Sequence, residues 1–185
     1  MTFYRSVGEI PPKRHTVFRQ LDGTLYAEEL MGEEGFSSDS SLLYHRGIPS
    51  AMSDAHVWGL PDLTTVPNHP LRPLHLRLPE LFARHNPAEI DLVTGRQLVL
   101  GNADVRISYA VASKSSPLYR NATGDECVYI QEGSGVVETV FGALTFRDRD
   151  YVLLPRATVH RWLPDGEVKA YAIEANSHIS PPRRY

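Results

Sequence analysis

Gly124-Asp125-Glu126-Cys127-Val128-Tyr129-Ile130-Gln131-Glu132-Gly133-Ser134-Gly135, followed by Asp150-Tyr151-Val152-Leu153-Leu154-Pro155-Arg156-Ala157-Thr158-Val159-His160, decides how this chain folds. Each stretch holds a short run of β-branched, aromatic and aliphatic residues, 128–131 and 151–154, bounded by residues that end strands. Gly133 and Gly135 supply turn conformations after the first run, and Pro155 closes the second. Asp125 and Glu126 are neighbours in a strand, so they point to opposite faces and do not act as a pair of acids.

Outward from there the signal repeats. Residues 97–100, 105–112, 136–140, 144–146, 159–162 and 168–173 are further short β segments, separated by Gly and Asp, and 141–143 and 163–167 read as turns. Strands at this spacing argue for an antiparallel sandwich or barrel. The N-terminal third is irregular: 16–19 and 25–31 are β-prone, with breaks at Pro11-Pro12, Asp22-Gly23 and 32–41. Six prolines interrupt 53–87, where 79–85 alone has room for a turn or two of helix beginning at Pro79. The expected fold is therefore all-β with little helix. Residues 1–95 form N-terminal strands and a Pro-rich wrap of the same domain, 96–178 the barrel core, and 179–185 an extended tail.

The chain has 185 residues, 42% of them hydrophobic, and a net charge of −3, which suit one domain with a substantial core. Interspersed charge provides no positive field for nucleic acid, and no apolar run reaches the length of a membrane span. The single cysteine, Cys127, sits in a strand-like run and reads as a small core residue, and the N-terminus lacks the apolar segment of a secretion signal. These features point to a reduced, cytoplasmic protein.

The spacing from Glu126 to Gly133 and from Pro155 to His160 resembles the two signature motifs of the cupin family, whose fold is a jelly-roll β-sandwich barrel. A metal-binding cupin also carries two histidines, one residue apart, three or four residues ahead of that Glu. Here those places hold Arg120 and Ala122, or Tyr119 and Asn121. More specifically, Lys13-Arg14-His15-Thr16, Gly35-Phe36-Ser37-Ser38-Asp39-Ser40-Ser41-Leu42-Leu43-Tyr44-His45, Tyr119-Arg120-Asn121-Ala122-Thr123-Gly124-Asp125-Glu126 and Ile179-Ser180-Pro181-Pro182-Arg183-Arg184-Tyr185 occur in the order found in the N-terminal half of bacterial homogentisate 1,2-dioxygenase, which the chain resembles nearly end to end. The resemblance implies a double-cupin enzyme of tyrosine and phenylalanine breakdown that uses Fe(II) and O₂ to open homogentisate to maleylacetoacetate. It places the iron ligands, two His and one Glu, in a C-terminal catalytic cupin beyond Tyr185. It also implies that this half binds no cofactor, packs against the catalytic half and takes part in a homo-oligomer.

The residues themselves agree that a metal is hard to hold. Non-haem iron sites need two imidazoles and a carboxylate on one face of the ion. Glu126 and His160 are degenerate cupin positions that supply one of each, and His45, His56, His69, His75, His85 and His178 lack metal-type spacing. Glu126 and His160 are expected instead as a hydrogen-bonded polar pair or as residues of the barrel mouth. His45 reads as a structural histidine, 37–41 as a turn without a catalytic nucleophile, and Arg183-Arg184 as solvated charges or a clamp. Two alternatives stay open: a stand-alone metal-free cupin whose barrel holds a small aromatic ligand, and a metal-dependent cupin that recruits one more histidine.

Overall fold

The computed structural model describes residues 17–37, 39–59, 62–81, 83, 85–182 and 184. Contacts divide the chain into two units, Met1–Gly59 and Leu60–Tyr185. In the first, β1 (Ala27–Gly32) pairs antiparallel with β2 (Ser40–His45), from Ala27 opposite His45 to Gly32 opposite Ser40. Gly35, at φ +61°, belongs to the turn between them, where Ser37 N–H donates to the Glu34 carbonyl. Ser40 and Ser41, expected in that turn, begin β2 instead, because their register opposite Gly32 and Met31 satisfies their backbone. Of the strand expected over 16–19, Thr16 lies outside the described residues, and Arg19 forms a single bridge to Leu25. Tyr44 packs edge-on against Phe18 at 4.7 Å, and His45 Nε2 pairs with Glu29 Oε2 at 2.7 Å.

The second unit is the jelly roll. Its strands are β3 (Gln97–Gly101), β4 (Val105–Ala112), β5 (Glu126–Glu132), β6 (Gly135–Thr139), β7 (Gly142–Phe146), β8 (Tyr151–Leu154), β9 (His160–Pro164) and β10 (Val168–Ala175). They form a five-stranded sheet in the order β3-β4-β10-β5-β8 and a three-stranded sheet in the order β7-β6-β9, with every pairing antiparallel. From β5 onward the chain moves between the two sheets, as a double-sheet jelly roll requires. Inward positions alternate along β5, β6, β9 and β10. Ala110, Ala112, Val128, Ile130, Leu154, Ala170 and Ala172 face Val137, Phe146 and Trp162, all within one buried cluster. Four small alanines on β4 and β10 leave room for the Trp162 indole, which is fully buried and meets Phe146 edge-on at 5.3 Å.

Two glycine turns come out differently. Phe141-Gly142 closes a true hairpin between β6 and β7, with Gly142 at φ +123°. Residues 132–135, expected to join paired strands, instead carry the chain from the five-stranded sheet to the three-stranded one. Gly133 has φ +103°, and a Cβ on Gly135 would meet the Leu163 carbonyl and the Phe146 ring, so both glycines are demanded by the crossing. Among the described residues helix is confined to α1 (Leu78–Leu81), which overlaps the start of the stretch 79–85, and a 3-10 turn at Pro87–Glu89; residues 82 and 84 lie outside the described residues. No described helix is long and apolar enough to cross a membrane.

On the outer face of the five-stranded sheet, Tyr109, Tyr171, Tyr129 and Tyr151 lie in register across β4, β10, β5 and β8. Tyr129, Tyr151 and Tyr171 line an open groove of about 590 Å³ with Leu74, Leu76 and Leu78.

Candidate functional site

Glu126 opens β5 on its inward side, and His160 opens β9 in the opposite sheet. Both are 1% exposed, so they lie inside the sandwich rather than at its mouth. They are not bonded to one another. His160 Nδ1–H donates to the Thr158 carbonyl at 3.0 Å, which leaves the Nε2 lone pair pointing inward without a hydrogen bond among the described residues. Glu126 turns to Arg96, whose Nη1 lies 2.8 Å from Glu126 Oε2.

Arg96 went unnoticed in the sequence, and the fold places it with care. Asp91, itself buried, accepts from the backbone N–H of Val93 and Thr94 at 2.8 Å each, and the turn so formed delivers Arg96 just ahead of β3. Its Nε donates to the Leu92 carbonyl at 2.7 Å, and Nη1 also lies 3.5 Å from Glu174 Oε1 on β10. Arg106 on β4 extends the cluster, with Nε 3.8 Å from Glu174 Oε2. The Tyr119 ring sits against the guanidinium, its centroid 5.9 Å from Cζ, and edge-on to the His160 imidazole at 5.5 Å. Reciprocal backbone hydrogen bonds between Tyr119 and His160, of 2.8 and 2.9 Å, fix that geometry. A polar column thus runs through the apolar interior: Arg106, Glu174, Arg96, Glu126, Tyr119, His160.

Burial governs its protonation. Desolvation pushes the Glu174 carboxyl up, partly opposed by the Arg96 charge, and desolvation together with the Glu126 charge pushes the Tyr119 phenol up. Desolvation holds His160 below the ordinary imidazole value, against the pull of the Thr158 carbonyl and Glu126. A base depressed in the folded state takes up its proton first in the unfolded chain. Its contribution is therefore complete above the unfolded value of about 6.5 and is lost as pH falls through the folded value. Raised Glu174 works in the opposite sense, so the His160 effect is read as a difference: between pH 7.5 and 5 the urea midpoint of the native protein should lose ground against that of His160→Gln, and parallel slopes in the two proteins would exclude a His160 contribution.

Asp125 belongs to a separate network. Its carboxylate accepts from Arg156 N–H at 2.9 Å, from His178 Nδ1 at 2.9 Å and from Ile179 N–H at 2.8 Å, clasping the segment after β10 to the loop between β8 and β9. Among the other described histidines, His45 pairs with Glu29, His56 lies near Asp54, His85 bonds Gln97, and His69 and His75 are exposed. Burial raises the Cys127 thiol, in keeping with a packing role.

The residues do not fit a metal ion. The place beside Glu126 that an ion would need is taken by a guanidinium nitrogen, and a second cation on the same buried carboxylate would be repelled. Among the described residues no three His, Cys, Asp or Glu side chains converge as ligands.

No protein-family model matches the chain. A curated Saccharolobus solfataricus protein named as a putative dioxygenase is 30% identical over 187 aligned residues, which take in 100% of this chain and 47% of that protein. The chain thus spans about half the length of the relative it matches. Among solved structures, a cupin-2 domain protein from Shewanella frigidimarina aligns with 54% of this chain and 93% of its own, at 15% identity and a TM-score of 0.46. An RmlC-like cupin from Desulfovibrio desulfuricans aligns with 45% of this chain and 82% of its own, at 18% identity and a TM-score of 0.40.

Proposed function

We propose that this chain is the cupin half of a ring-cleaving dioxygenase that does not itself carry the iron, the enzyme being of the homogentisate 1,2-dioxygenase type. The observation that carries the reading is the Arg96 guanidinium at 2.8 Å from Glu126, in the place where a metal would have to bind. The full-length match to half of a larger protein named as a putative dioxygenase supports it. Under this reading the chain's own residues build a rigid, closed sandwich that docks against a catalytic cupin half, and Fe(II), two imidazoles and a carboxylate belong to that partner. A homo-oligomer of the two-part protein completes the proposal.

The rival reading, an aromatic ligand inside the barrel, is less well supported, because Trp162, Phe146, Tyr119 and Arg96 already fill the interior. The isolated chain, supplied with Fe(II), ascorbate and homogentisate, should consume no O₂ above a protein-free blank. Uptake should appear only when a polypeptide bearing the iron ligands is added in trans. Turnover by the chain alone would refute the proposal.

A further inference from the structure

Two carboxylates facing the inside of a sandwich need a cation, and this polypeptide supplies its own. Glu126 and Glu174 are partners in register across β5 and β10, both directed inward. One nitrogen of Arg96 lies 2.8 Å from the first and 3.5 Å from the second. The Leu92 carbonyl takes Nε and the Tyr119 ring covers the guanidinium carbon, so the group is held by charge, by hydrogen bonding and by a π face together. A zinc-type transition-metal ion has different needs: it draws its ligands to about 2.0–2.3 Å and gathers at least three protein donors around one point. A guanidinium is planar and broad, and it bridges carboxylates held farther apart than a single ion tolerates.

We propose that the centre of this barrel is a guanidinium-specific cation site whose resident occupant is the Arg96 side chain, and that the cage, once emptied, accepts a free guanidinium ion but not a divalent metal. The site stands on the geometry alone and does not depend on the dioxygenase reading. It makes Arg96 the link that ties the adjacent strands β5 and β10 of the larger sheet to Tyr119 and, through Tyr119, to β9 of the smaller one.

The test is chemical rescue of Arg96→Ala. Thermal melts of the variant and the native protein are compared in up to about 50 mM guanidinium chloride against equal sodium chloride, concentrations at which general denaturation is small. The variant should melt lower than the native protein and regain roughly 3–6 °C for each tenfold rise in guanidinium, as a bound ligand does, while the native protein gains nothing. Manganese, iron(II) and zinc should neither raise the melting temperature of the variant nor remain on it after dialysis. A stoichiometric metal ion retained by the variant overturns the proposal. So does a folded variant indifferent to guanidinium, or one as stable as the native protein. Should Arg96→Ala fail to fold, arginine side-chain NMR of the intact native protein decides: slow rotation with resolved terminal nitrogens is expected for Arg96, and freely averaging signals refute a caged guanidinium.

Discussion

Replacing Glu126 with alanine is expected to reduce stability by about 3–5 kcal/mol, because the Arg96 guanidinium, whose side chain is 7% exposed, loses the nearer of its two carboxylates and keeps only Glu174 at 3.5 Å. For a unit of this size that corresponds to a fall in melting temperature on the order of 10 °C or more. The double substitution Arg96→Met with Glu126→Leu removes both charges and replaces them with apolar volume, but leaves Glu174 to Arg106 alone at 3.8 Å, so it should recover part of the loss. Urea melts of the two single variants and the double variant form the cycle. A Glu126→Ala loss under about 1 kcal/mol, or strict additivity in the double variant, would show that the two side chains do not act as a pair.

Trp162→Ala should be comparably severe, at about 3–5 kcal/mol, because it empties the space between the sheets that four alanines leave to one large ring. Trp162→Phe should be far milder, below about 1.5 kcal/mol. The indole N–H of Trp162 makes no hydrogen bond among the described residues, so phenylalanine removes a buried donor that gains nothing from being there. Equal losses in the two variants would mean that the indole nitrogen matters more than the ring's volume.

The strands of the jelly roll were legible because period-two patterning survives wherever one face is buried. The runs 105–112 and 151–154 match β4 and β8 end for end, and 128–131 differs from β5 only in its bounds. The connection at 132–135 was not legible. A Gly-Ser-Gly turn looks the same whether it joins neighbours in one sheet or crosses between two, and only the positions of Phe146 and Leu163, distant in sequence, distinguish the cases. In the site, Glu126 and His160 were found by motif spacing, but their relation was misjudged, since Glu126 pairs instead with Arg96, which comes from far upstream of both. Arg96 stands at the end of a turn and carries no periodic signal. Glu174 and Arg106 did carry one: counting by twos from Val168, Ala170 and Ala172, or from Ala112, Ala110 and Ser108, puts a charged residue on the buried face of each strand. A charge in phase with an apolar stripe predicts a buried counter-charge, and following that parity would have led to the column.

The placement of β10 between β4 and β5 also shapes how the molecule is made. As the nascent polypeptide leaves the ribosome, β4 and β5 emerge before the strand that pairs with both, and their facing edges stay open to foreign chains until residues 168–175 arrive to seal them. Synthesis interrupted before those eight residues leaves not a slightly shorter protein but two halves of a sheet with nothing to join them, which is the kind of product that proteases and chaperones exist to clear.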